Sequence, residues 1–162
     1  MKNKGSQIKN HKLRGEWAEL RFMARAAENG LSVSKPWGES AHYDVGVECH
    51  GHFLRVQVKS TIYQVGRSYV CNTRPDSHDH PYTCSQIDFM AAYVIPEDVW
   101  YILPARVAVS LKGNIWLSPH KPGHKYQQYM EAWHLLRGKK SRTLRSVPPS
   151  ATLTIANNCA EN

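Results

Sequence analysis

Two runs of alternating residues, Tyr43–Cys49 and Phe53–Ser60, flank His50-Gly51-His52, and this pairing restricts the fold more than any other feature of the chain. In the first run Asp44 and Glu48 fall on one side and Val45 and Val47 on the other. In the second, Leu54, Val56 and Val58 oppose Arg55, Gln57 and Lys59. A period of two is the signature of strands with one buried face, and the glycine-containing turn closes the two runs into a hairpin. Phe53 falls on the polar side by parity and is expected at the strand start, shielded by the turn.

A half-apolar hairpin needs a second layer to cover it. His11–Asn29 supplies one: Trp17, Leu20, Met23, Ala24 and Ala27 recur at helical spacing, and Gly30 provides the left-handed residue that ends the helix. Glu16 and Glu19 lie one turn apart on it. Leu31–Lys35 reads as a short strand stopped by Pro36-Trp37-Gly38, and Tyr63–Cys71 as a further strand. Asn72–Pro81 has loop composition. Ile87–Ile95 and Val99–Leu103 read as buried strands joined by Pro96-Glu97-Asp98, with Ile115–Leu117 as a last short strand. Tyr126, Met130, Trp133 and Arg137 on one side, with Leu136 close by, predict a second amphipathic helix over Tyr126–Leu136 ended by Gly138. The order helix, hairpin, strands, helix predicts a single α/β domain over residues 11–138. Residues 1–10 are expected to be a flexible basic segment and residues 139–162 a disordered tail.

Charge is unevenly placed. Residues 1–14 carry Lys2, Lys4, Lys9, Lys12 and Arg14 with no acid, and residues 138–162 carry a net +3. The 123 residues between balance to zero, although the whole chain is +8. A neutral body with basic ends suits a polyanion, because flexible lysines and arginines follow phosphates at little geometric cost; improved solubility is the plainer alternative. No apolar run reaches the roughly 18 residues of a membrane helix, and Met1-Lys-Asn-Lys-Gly precedes no signal-type stretch. The expectation is a soluble protein of the cytoplasm or nucleoid, outside the membrane. Cys49, Cys71, Cys84 and Cys159 form no Cys-x-x-Cys pair and are expected as reduced thiols.

The polar face of the hairpin carries the chemistry. Asp44 stands on one strand and Gln57 and Lys59 on the next, two apart. A carboxylate and an amide oxygen are hard ligands suited to Mg²⁺. A lysine beside them can position a water or offset charge on a phosphoryl oxygen. Glu19, with Glu16 behind it, adds a carboxylate if the first helix crosses the hairpin. The rival account is an ordinary half-exposed sheet face with glutamates near a helix start.

The ordered set Gly15-Glu-Trp-Ala-Glu19, Asn29-Gly30-Leu31, Tyr43-Asp44 and Val56-Gln57-Val58-Lys59-Ser60 resembles the PD-(D/E)xK nuclease superfamily, closest to endonucleases associated with group I introns and to archaeal Holliday-junction resolvases. The resemblance spans roughly residues 12–61. Gln86-Ile-Asp88-Phe and Trp100–Pro104 match a pattern of the intron-type members. The implied fold is a restriction endonuclease-like core, a mixed central β-sheet flanked by helices. The implied activity is hydrolysis of DNA phosphodiester bonds, with Glu19, Asp44, Gln57 and Lys59 as catalytic residues. Asp44, Gln57, Glu19 and the Val58 carbonyl would hold Mg²⁺, with Mn²⁺ as a substitute. Two departures stand out: Gln57 replaces the usual acid, and Tyr43 stands where the family's proline precedes the aspartate. Gln57 keeps open the alternative of a catalytically inactive, nuclease-like DNA-binding protein.

In a nuclease Ser60 and Tyr43 would contact phosphate, and the Trp37–Ser40 loop would border the site, with Ser40 or Trp37 against the backbone or an unstacked base. Trp37 closing the core edge is the rival. Lys12 and Arg14 in the basic N-terminal region, together with Arg67 and Arg74, are further candidates for binding nucleic acid. Tyr82, Trp100, Tyr101 and Trp116 read as core or interface aromatics. His78-Asp79-His80 with Cys84 lacks a matching zinc pair and reads as a polar loop. No nucleophile has a placed histidine partner. The expected partner is duplex or branched DNA. Cutting both strands implies a homo-oligomer, a dimer or tetramer.

Overall fold

The computed structural model describes residues 7–38, 40–75, 81–111 and 113–137. The expected tail, residues 1–6 of the basic N-terminal segment, Gly138, His78-Asp79-His80 and Cys159 lie outside the described residues.

Helix α1 (His11–Glu28) starts at Asn10, whose side-chain oxygen accepts from the Leu13 N–H. It ends as the sequence predicts. Gly30 takes φ +75°, its N–H donates to the Ala27 carbonyl, and the Leu31 N–H reaches back to Ala26. Strands β1 (Ser32–Ser34), β2 (Val45–Cys49) and β3 (His52–Thr61) follow, the latter two joined by a tight turn with His50 and Gly51 both at positive φ. Next come β4 (Gln64–Val65), β5 (Ser68–Asn72), β6 (Phe89–Val94), β7 (Val99–Pro104), the one-turn helix α2 (Ala105–Ala108) and β8 (Asn114–Leu117).

Two sheets result, one in the order β1-β2-β3-β6-β7 and one in the order β4-β5-β8. The larger is mixed, because β3 and β6 run parallel while every other pair is antiparallel. This is the α/β fold with a mixed central sheet flanked by helices that the sequence implied. One face packs on α1 through Val45, Val47, Val56 and Val58. There Tyr93 stacks on Trp100 with centroids 4.1 Å apart, and Phe22 meets Trp100 and Trp133 at 5.5 Å. The opposite face, through Met90, Ala92, Tyr101 and Leu103, packs on the small sheet and α2.

Three local expectations are corrected. The buried stripe of α1 is Ala18, Phe22 and Ala26, with Trp17 and Met23 at its flank, whereas Leu20 is 62% exposed. The Phe22 ring, wedged between two tryptophans, sets the rotation of the helix. Tyr63–Cys71 is not one strand but the β4–β5 hairpin, turned at Gly66-Arg67. Tyr126–Leu136 is not a helix: two 3₁₀ turns, Gln127–Tyr129 and Trp133–Arg137, flank a bend at Glu131 with φ +50°. Tertiary bonds outweigh helix propensity there. The Glu131 N–H donates to the Trp100 carbonyl at 2.7 Å, and its carboxylate accepts from the Trp100 N–H and Trp133 Nε1, each at 2.7 Å. Those bonds fasten the segment to the edge of β7 as an extended strand would.

Candidate active site

Strand β2 pairs with β3 only as far as Val45↔Val56, so the C-terminal half of β3 has an open edge on that side. Asp44, one residue before β2, fills it. Its N–H donates to the Val56 carbonyl at 3.0 Å, and its Oδ2 accepts from the Val58 N–H at 2.8 Å and from Gln57 Nε2 at 2.5 Å. Backbone groups two residues apart on a strand point to the same edge, so the Val58 carbonyl is aimed beside the Asp44 carboxylate.

This edge opens into a cleft of about 800 Å³ between the first turns of α1, the β1–β2 connection and β3. Glu19, Asp44, Gln57, Val58 and Lys59 all line it, as do Lys12, Arg14, Ser60, Tyr43 and Glu16. Among the other candidates, exposed Ser40 lies between the cleft-lining residues Gly38 and Ala41. Arg67 is exposed at the tip of the β4–β5 hairpin and Arg74 is exposed just beyond β5, so neither lines the cleft. Trp37 is fully exposed, which removes it from the core.

The electrostatics of the cleft are asymmetric. Burial drives the Asp44 carboxyl up to about 6, and the Glu19 charge adds to that rise, against the opposing pull of the Val58 N–H, Lys59 and Gln57. Both groups that hydrogen-bond Asp44 are neutral. Glu19 instead meets Lys35, whose Nζ lies 2.5 Å from its Oε2. That contact, with Asp44 and Glu16 adding to it, raises the Lys35 ammonium above its ordinary value. The Lys59 ammonium sits over the Tyr82 ring, 5.8 Å from its centroid.

Lys35, Tyr82 and Asn72 are members of this neighbourhood that sequence reasoning missed. Lys35 was legible only as the end of a strand. Tyr82 and Asn72 arrive from segments more than ten residues beyond Lys59 in the chain, and no periodicity announces such a meeting.

The donor set consists of hard oxygens: two carboxylates, one amide and a main-chain carbonyl. Among the described residues no three His, Cys, Asp or Glu side chains gather tightly enough to hold a metal by themselves; Gln57 offers an amide at the position where the resemblance implies an acid. Two carboxylates suffice for Mg²⁺, which keeps several of its waters. A half-buried carboxylate whose described hydrogen-bond partners are both neutral is an environment a divalent cation would relieve. The residues therefore fit such an ion.

A family model described as PD-(D/E)XK endonuclease matches residues 9–136. Among solved structures the chain is similar to a bacterial homing endonuclease, I-Ssp6803I, with a TM-score of 0.70 and 30% identity, covering 79% of this chain and 93% of that one. Among curated proteins none matches. No helix among the described residues is long and apolar enough to cross a membrane.

Proposed function

The chain belongs to the PD-(D/E)XK endonuclease family, and from that membership we propose that it is a Mg²⁺-dependent endonuclease hydrolysing DNA phosphodiester bonds at a duplex site, in the manner of a homing endonuclease. The observation that carries this reading is the hydrogen-bonded Asp44–Gln57–Val58 edge, sharing one cleft with Glu19 and Lys59. The likeness to a homing endonuclease favours a duplex site over a branched junction.

Asp44, Glu19, the Gln57 amide oxygen and the Val58 carbonyl would hold the ion. When bound, Mg²⁺ supplies positive charge for the oxygens of the reacting phosphate and makes water a better nucleophile. The protein does the rest. Lys59, fixed mid-strand, orients the attacking water and donates to a non-bridging oxygen as charge builds there. Lys12 and Arg14 on the opening turn of α1, with Ser60 beyond Lys59, hold neighbouring phosphates. The leaving group is a 3′-hydroxyl. Gln57 orients Asp44 through its amide N–H₂ or turns its oxygen to a cation, and contributes no charge in either pose. A duplex needs two such sites, so the working unit is a symmetric dimer or larger assembly.

The test is nicking of supercoiled plasmid by the full chain with Mg²⁺ or Mn²⁺, with a four-way junction as comparison substrate. Expected is metal-dependent cutting that falls at least ~100-fold in Asp44→Ala and in Lys59→Ala. Salt-sensitive DNA binding with no cutting under either metal would support an inactive DNA-binding protein on the same scaffold.

A further inference from the structure

The small sheet has two faces of opposite character. Tyr69, Cys71, Ile115 and Leu117 point into the core and are buried. The outer face presents Asn72 beside Asn114 and Val70 beside Trp116, paired across β5 and β8. Trp116 is 53% exposed, and both asparagines are exposed. A half-exposed tryptophan beside a facing pair of amide side chains is a poor choice for solvent and a good one for a ligand with both methyl and hydrogen-bonding edges.

Three observations say what that ligand is. The face is continuous with the cleft, because Asn72 both closes this face and lines the cleft that holds Asp44 and Lys59. Among the described residues of its strands and turns, 61–75 and 113–118, the charged side chains are Arg67 and Arg74. Glu97, at the far end, is occupied by the Tyr69 hydroxyl and His120. The dimensions also match. Two antiparallel strands about 4.8 Å apart enter a major groove about 12 Å wide, and a five-residue strand such as β5 spans about 16 Å, close to five base pairs.

We propose that the outer face of β4-β5-β8 reads base edges in the major groove of the duplex on one side of the scissile phosphate. The inference rests on the endonuclease reading for the position of that phosphate. The Asn72 oxygen is held by the Arg74 N–H at 2.9 Å, so this side chain offers its amide N–H₂ to an acceptor next to the cut. Asn114 can address adenine through both amide atoms, and Trp116 with Val70 covers thymine methyls. Arg67, at the hairpin tip, meets the phosphates at the far end of the tract. The sheet therefore selects an A·T-containing block of about five base pairs.

The test is selection from random duplexes by mobility shift in EDTA, followed by mapping of nicks after Mg²⁺ is added. Wild type is expected to enrich such a block on one side of the nick. Asn114→Ala and Trp116→Ala, with melting temperatures checked against wild type, should lose preference inside the block by about tenfold and keep the rest of the motif. The proposal is overturned if wild type enriches nothing, if both variants keep the same motif, or if both lose affinity evenly at every position. Enriched duplexes that Mg²⁺ fails to nick would sink the hydrolytic reading alone and leave this one standing.

Discussion

Strand β3 meets a carboxylate on each of its edges, Asp88 on the β6 side and Asp44 on the β2 side, and the two are treated in opposite ways. Near its start Asp88 receives Arg55 through both carboxylate oxygens at 3.0 Å and the Arg55 N–H at 2.8 Å. The Asp88 N–H returns a bond to the Arg55 carbonyl. The guanidinium holds the Asp88 carboxyl below its ordinary value, while burial pulls the other way. On the opposite edge, Asp44 is more deeply enclosed, hydrogen-bonded among the described residues by neutral groups, and pushed up to about 6, first by burial. The first arrangement staples β3 to β6 and carries its own counter-charge. The second leaves a partly desolvated carboxylate at a cleft without a paired counter-charge of its own, which costs stability and is the environment the proposed cation would relieve.

That contrast yields predictions that can break it. The largest concerns the staple: Asp88→Ala leaves Arg55 and a strand N–H without their acceptor and should lower stability by about 2–3 kcal/mol, read as a shift in urea midpoint. Little change would mean that the staple is ornamental. Asp88 is depressed in the folded state, so its contribution is present above the ordinary carboxylate range and is lost as pH falls through that range.

Asp44 has the opposite sign. Its folded carboxyl titrates near 6, from an ordinary 3.8, so the folded state binds the proton more tightly than the unfolded one. Metal-free stability should therefore decline as pH rises through that window. Asp44→Asn should remove the decline, raising metal-free stability by about 1–2 kcal/mol at pH 8 and by nothing near pH 4, while abolishing cleavage. Thermal melts with and without Mn²⁺ read both limbs; a destabilised Asp44→Asn at pH 8 would contradict the contrast.

The smallest effect is at Lys35, whose ammonium pairs with Glu19 and would compete there with the cation of the proposed mechanism. Lys35→Met should tighten Mn²⁺ binding a few-fold, about 0.5–1 kcal/mol, by titration calorimetry. Weaker binding would show that the lysine assists the site instead.

The hairpin, the helix that covers it and the Gly30 stop were legible because each is a local matter of period two, period 3.6 and one positive φ. The same parity placed Asp44, Gln57 and Lys59 on one side before any contact was known, and the Glu19 spacing pointed across to them. The rotation of α1 was misread by about one position, since the stripe is chosen by what Phe22 packs against. The Tyr126–Leu136 segment was misread altogether, since helical spacing of its apolar residues says nothing about the bonds Glu131 makes to β7.

Sequence alone determined the strands that carry the site and the residue types placed on them, because side-chain alternation is a property of the backbone. Tertiary structure decided where β2 stops pairing with β3, and so why Asp44 lies against the Val58 edge. It also brought Lys35 to Glu19, Tyr82 to Lys59, and Asn72 to the rim of the cleft. Those meetings join segments far apart in the chain, and they form only when burial of the two cores brings the layers together.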